Sequence, residues 1–539
     1  MLHRVLLSLC GSLILFVSVL LWNRHALNAP CINNMDRAYT HLSVAMAERG
    51  EAYEGAFSHA GFRHPGPILF YYLAAGSEAL GPFVTREDSF RIATTALNCL
   101  FVGIAIFLLS GLTPHGAYAL LLAPLAFVII SPRLLFDYWN PHPIPTATCA
   151  YLLSVVYLSY GRVWQLPLMC ALGSFMAQCH LSTPPFIAAC GLYGCGACLW
   201  RRRTATSPQP GLALPLLSCA AIALVLWSGP LADLARFGED SNLRVILRSF
   251  AEEHRTPPLS RTFSAVWFLA ARKLNLFFHL PASISGALPL ACIVVIALTT
   301  PRRGAFFHLR ALVLIAWGVT VWALSRSFQP LADYLVTYFL GVLSLAAFLA
   351  LMALVEHASL FLSRTARLDP KRCRLAVCSL ALAALLFSAA RFPEPVPPAK
   401  VRSCNLSRFA GRFVAALAPQ PGQRFSISPT SFELRGFSVF FALEMLKTGA
   451  DICFDNQWEH YVGRALTCSF RESSSPSGAQ GQILVELSRL SDREQPPNGG
   501  EPAKPQRRSG VAMEWRDLSG QQRAFEAVGR SARGGLATP

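Results

Sequence analysis

Between two apolar runs the chain reads DRAYTHLSVAMAERGEAYEGAFSHAGFRHPGPILFYYL over residues 36–73, gathering Asp36, Glu48, Glu51, Glu54, His59, Arg63 and His64 into one polar stretch. A carboxylate such as Asp36, placed soon after a membrane helix, can act as general base on a hydroxyl or bind a divalent cation. The plain alternative is a solvated loop acid. Arg63 holds its charge at all physiological pH values and suits a phosphate. His59 and His64 can bind a phosphate or orient Asp36, or serve as turn histidines. Glu48, Glu51 and Glu54 recur at near-helical spacing, as on a solvated helix face. The stretch ends in a rigid His64-Pro65-Gly66-Pro67 turn that leads into an aromatic apolar helix, Ile68–Leu80. There Tyr71 and Tyr72 read as interfacial anchors, with sugar stacking as the other option.

Further polar groups sit at the ends of apolar runs. Phe136–Pro143 carries Asp137, Asn140 and His142 on a backbone stiffened by Pro141, Pro143 and Pro145. These side chains can face the first loop across a cavity or only build an Asx/Pro turn. Gln178 and His180 close another run, and ionisable groups at such depth are functional candidates. Asp233, Glu239, Asp240, Asn242 and Arg244 cluster just after the next one. Arg272 and Lys273 lie on an amphipathic stretch, where they suit a lipid phosphate or simply snorkel. Arg326, with Asp333 and Tyr334, borders one more loop and can add a phosphate contact.

These groups need elements to hold them. Of the 539 residues 53% are hydrophobic and only 14% charged, against roughly 25% charged in soluble domains. Composition therefore places the chain in the membrane class. Apolar runs cover residues 5–22, 68–80, 89–110, 115–131, 144–160, 164–181, 183–200, 211–228, 282–299, 306–324, 333–355 and 374–390, about eleven of them spanning. The expected fold is an all-α polytopic membrane bundle over residues 1–391. Its outside loops are 23–88, 132–143 and 229–281, and a small extracytoplasmic α/β domain follows at 392–490. Residues 491–539, rich in Pro, Gly, Ser and Arg, read as a disordered tail.

The net charge of +17 lies mostly in short loops beside apolar runs. It points to topology and lipid phosphates rather than nucleic acid. Arg162, Arg201–Arg203, Arg302–Arg303 and Arg364–Arg372 share one side when the N-terminus is cytoplasmic and the C-terminus extracytoplasmic. Most cysteines fall inside apolar runs, Cys195-Gly-Ala-Cys198 among them, and read as packing. Cys31, Cys404, Cys453 and Cys468 lie in polar regions, where one or two disulfides can form, with the pairing open. G-x-x-x-x-G-K-[ST], H-E-x-x-H and G-x-S-x-G are absent, which excludes a P-loop ATPase and argues against zincins and α/β hydrolases.

Asp36 after the first run, Gly61-Phe62-Arg63-His64-Pro65-Gly66-Pro67 with Phe70-Tyr71-Tyr72-Leu73, Trp139-Asn140-Pro141, Gln178-x-His180-Leu181, Trp227 with Gly229-Pro230, and Gly238 with Asn242 together resemble the GT-C superfamily of polytopic glycosyltransferases. The likeness is to bacterial relatives of protein mannosyltransferases and of the aminoarabinose lipid A transferase (family 39-like), over roughly residues 1–470. It implies an outward-facing site fed by a polyprenyl-phosphate-linked sugar, with Asp36 as catalytic base and Asp137 as the second-loop polar group. Arg37 stands where several branches carry a second acid, so a divalent cation (Mg or Mn) on Asp36 and Asp137 stays open. The resemblance further implies a bacterial inner-membrane enzyme with a glycan, lipid or protein acceptor. Rival readings are a transporter or lipid flippase without transfer chemistry, and an assembly protein acting through its C-terminal domain.

Overall fold

The computed structural model describes residues 1–27, 35–58, 61–113, 116–206, 209–251, 305–326, 333–366, 410–429 (except 416 and 422), 435–454, 466–468, 483–489, 510–516 and 522–528, with a few isolated positions between 260 and 383. The chain divides into two units, Met1–Ala29 with His64–Pro397, and Pro30–Arg63 with Pro398–Pro539.

The first unit is helical. Its helices are α1 (Leu2–Trp22), α3 (Ile68–Leu80), α4 (Arg86–Leu109), α5 (Leu122–Ile129), α6 (Pro132–Phe136), α7 (Ile144–Ser159), α8 (Gln165–Cys179), α9 (Pro184–Thr204), α10 (Ala213–Leu226), α11 (Ser228–Phe237), α12 (Asn242–Ala251), α13 (Ala305–Ser325) and α14 (Phe339–Ala366); α2 (Met35–Glu48) belongs to the second unit. Nearly every residue of α7 is buried, as in a helix that is apolar all round and central to a bundle. It packs against α4, α8, α9, α13 and α14. Small residues bring α1 onto α4, where Ser8 Oγ donates to Gly103 O at 2.7 Å and Ser12 Oγ to Cys99 O at 2.9 Å, a close approach typical of membrane helices. Thr85 caps α4 by accepting the Asp88 N–H, which satisfies one of the orphan donors at a helix start.

Among the described residues four helices, α1, α4, α13 and α14, are long and apolar enough to cross a bilayer, or five if the bent pair α10–α11, kinked by 60°, counts as one. This is fewer than the expected eleven. The segments 68–80, 116–129 and 144–159 form shorter apolar helices, below the ~20 residues a crossing takes. Prolines and turn residues trim them. The runs 282–299 and 374–390 lie outside the described residues, apart from isolated positions.

The second unit holds α2, α15 (Arg435–Lys447) and a five-stranded mixed sheet of β1 (Arg424–Pro429), β2 (Asp451–Phe454), β3 (Ile483–Arg489), β4 (Gly510–Arg516) and β5 (Gln522–Val528), ordered β2-β1-β3-β4-β5. β1 pairs in parallel with β2 and β3, while β3–β4 and β4–β5 are antiparallel. Arg424 and Asp451 are register partners and form an ion pair at 3.0 Å. Of the four polar-region cysteines, Cys453 and Cys468 are bridged; Cys31 and Cys404 lie outside the described residues. Two findings depart from the sequence reading. Residues 510–528 carry two strands where disorder was expected, because the alternation in GVAMEWR and QRAFEAV outweighs their polar flanks. The polar segment 30–63 joins the C-terminal unit, with α2 packed on α15.

Candidate functional site

In the first unit the His64-Pro65-Gly66-Pro67 corner is where distant polar fragments converge. Its proline-fixed backbone caps α3 at Pro67. The buried His64 accepts the Leu181 N–H at Nδ1, 3.3 Å away, and its ring lies 4.5 Å from that of His180. The His64 carbonyl accepts from Asn242 Nδ2 at 3.2 Å, and the Asn242 N–H donates to Asp233 Oδ2 at 2.8 Å. Asp233 is 1% exposed, so this bond holds the start of α12 from inside the fold. Gln178 donates to Leu226 O at 2.7 Å and lies so close to Gly66 that a Cβ there would come within 2.6 Å of Gln178 Cδ.

His180 follows α8 in an extended conformation. Its Nδ1 accepts from the Ser182 N–H at 3.2 Å and lies 2.8 Å from Ser182 Oγ. Burial pushes its pKa down to about 4, since an imidazolium there would lose its hydration. With Nδ1 accepting a backbone N–H in both rings, His64 and His180 are neutral Nε2–H tautomers. They can offer N–H donors to an anion without carrying charge.

The second loop joins the same assembly. Asn140 Nδ2 donates to Cys179 O at 2.7 Å, one residue before His180. Asp137 accepts the Trp139 N–H at 3.3 Å and lies 3.4 Å from His142 Nδ1, while Trp139 and His142 meet edge to face. Asp137 and His142 thus face each other within their own turn.

Sequence reasoning missed the network beneath that loop. Tyr138 OH donates to Glu87 Oε2 at 2.7 Å. Arg91 bridges Glu87 Oε1 at 2.8 Å and Asp88 Oδ1 at 3.1 Å, and donates to Ala26 O at 2.6 Å. Glu87, Asp88 and Arg91 are all buried. The signal open to a reader was two adjacent acids with an arginine four and three residues after them, on the threshold of an apolar run.

Within the second unit Asp36 sits in the first turn of α2, where its carbonyl accepts from Thr40 Oγ1 at 2.9 Å. Arg63 is buried, donating to Gly55 O at 3.0 Å and lying 3.4 Å from Glu54 and 3.5 Å from Ser43 Oγ. Burial lowers its pKa against the pull of Glu54. Its guanidinium is committed inside this loop, where it braces the Phe57–Arg63 bridge turned by Gly61 at φ 81°. α2 ends at Glu48, so Glu51 and Glu54 do not continue its face. Tyr71 is 39% exposed on α3, while Tyr72 ties α3 to Ala93 O. Arg326 lies exposed after α13, and none of its described contacts reaches the corner. His59, Arg272 and Lys273 lie outside the described residues.

No three His, Cys, Asp or Glu side chains converge as a metal site requires among the described residues, and Asp137 is occupied by Trp139 and His142.

The fold of the chain is shared with solved structures. The chain is similar to ArnT from Cupriavidus metallidurans bound to undecaprenyl phosphate, at TM-score 0.54 and 13% identity over 89% of this chain and 92% of that one. It is similar to the same protein in its apo state at TM-score 0.51 and 14% identity, covering 89% and 93%. No protein-family model and no curated protein sequence matches the chain.

Proposed function

We propose that this protein is an integral membrane glycosyltransferase of the bacterial inner membrane. It transfers a sugar from a polyprenyl-phosphate donor to a glycan, lipid or protein acceptor on the extracytoplasmic face. The observation that carries this reading is the convergence of His180, Asn242, Gln178 and Asn140 around the His64 corner, in a fold shared with a protein solved with undecaprenyl phosphate.

The chemistry follows from the groups present. Asp36 takes the proton of the acceptor hydroxyl. The freed oxygen bonds to the anomeric carbon as the bond from that carbon to the phosphate oxygen breaks, inverting the centre. The polyprenyl phosphate leaves as an anion, so no general acid is needed; within the first unit, the Nε2–H groups of His64 and His180 are donors suited to such a charge. Asn140, Asn242 and Asp233 position these rings, and Asp137 with His142 shapes the second loop.

Asp36→Asn is expected to insert and fold as wild type yet lose transfer of labelled sugar from a polyprenyl-phosphate donor. Retained transfer would remove Asp36 from the mechanism. Transport of lipid in proteoliposomes with no transfer product would favour the flippase reading instead.

A further inference from the structure

At the far end of α9, about 30 Å along the helix from His180, a cationic and aromatic cluster serves no part of the transfer chemistry. The Arg201 guanidinium lies over the Tyr160 ring at 5.4 Å, and Tyr160 meets His308 edge to face at 5.2 Å. Tyr193 OH is 2.8 Å from His308 Nδ1; with the hydroxyl donating, the His308 proton sits on Nε2. The Tyr160 hydroxyl is shielded and finds no hydrogen-bond partner among the described residues. Among those residues Arg4, Arg162, Arg201, Arg202 and Arg203 form no ion pair either. Arg202 donates twice to Pro210 O, at 2.9 Å each. Next to Arg201 on α9, Leu199 is 50% and Trp200 72% exposed.

We infer that this cluster is a binding site for the phosphate headgroup of an anionic phospholipid, held by Arg201, Tyr160 and His308. Three features select a lipid. The arginines' combined field attracts an anion. The unpartnered hydroxyl and an imidazole N–H supply directed donors to its oxygens. The exposed Leu199 and Trp200 offer acyl chains an apolar flank at the level where aromatic side chains mark a membrane interface. Arg201, itself exposed, is free to swing from the Tyr160 ring onto the phosphate. The site is independent of the transfer reading.

The test places full-length protein in phosphatidylcholine bilayers doped with phosphatidylglycerol and counts retained lipids by native mass spectrometry. Wild type is expected to keep phosphatidylglycerol in preference to phosphatidylcholine. Arg201→Ala and Tyr160→Phe each weaken that retention about tenfold, whereas Arg248→Ala, an exposed arginine paired with Glu239, leaves it unchanged. Tyr160→Phe keeps the ring under Arg201, so its effect reads the hydroxyl and not the fold. Equal retention in wild type and both variants, or no preference over phosphatidylcholine, would overturn the proposal. Displacement of the lipid by excess inorganic phosphate would assign the site to a soluble anion and overturn it as well.

Discussion

His64 and His180 lie with their rings 4.5 Å apart and tilted by 38°, each accepting a backbone N–H at Nδ1. For His180 this has a measurable sign. Its folded pKa of about 4 lies below the ordinary 6.5, so the unfolded chain binds more protons between those values. Stability is fully present above pH 6.5, falls as the pH drops toward 4, and levels off below. The total is on the order of 3 kcal/mol. Thermal unfolding followed from pH 7 to pH 4 should show this loss, and His180→Asn should flatten it. An unchanged slope in that variant would assign the acid sensitivity elsewhere. At the neighbouring network, Arg91→Ala strips the guanidinium from the buried carboxylates Glu87 and Asp88. It is expected to cost about 3–5 kcal/mol, read as a fall in unfolding midpoint. Arg91→Lys keeps the charge but not the fork that meets both acids, and should recover only part.

At the scale of elements, α3, α8 and α10 are locked at one point. Gly66 leaves room for Gln178, whose amide reaches Leu226 O at the end of α10, while Trp227 Nε1 donates to Ser174 Oγ on α8 at 3.1 Å. Gly66→Ala forces Gln178 aside and is expected to cost about 1–3 kcal/mol. Pairing it with Gln178→Ala should recover much of the loss in the same unfolding assay, because the added methyl then has space. This junction also marks how far the sequence could be read. The corner, Asn140, His180 and Asn242 were each visible as fragments with chemistry. Their meeting was not, because residues 64, 140, 180 and 242 are joined by no local period. The shortness of the helices at 116–129 and 144–159 was hidden for a related reason: composition counts apolar residues, whereas crossing depends on unbroken helix length. Glu87 and Arg91 were overlooked because their apolar neighbours made the segment read as a plain span.

For the molecule as a whole, the unit boundary between Arg63 and His64 changes what truncation can reveal. α2, which bears Asp36, belongs to the unit built from residues 398–539 and packs on α15. Its Ala38, Tyr39, Leu42, Val44, Met46 and Ala47 are buried. A helix of 14 residues is too short to hold its shape in water by propensity alone. Deleting 398–539 therefore strips α2 of its support and is expected to abolish sugar transfer although the first unit still inserts. An assembly protein acting through its C-terminal domain would also lose function, so the deletion does not separate the two readings. Asp36→Asn does, because it leaves α2, the sheet and every surface of that domain in place. Wild-type partner binding together with transfer lost below detection would fix the enzyme reading. Full cellular function of the Asp36→Asn variant alongside failure of the deletion would leave the C-terminal unit as the seat of activity.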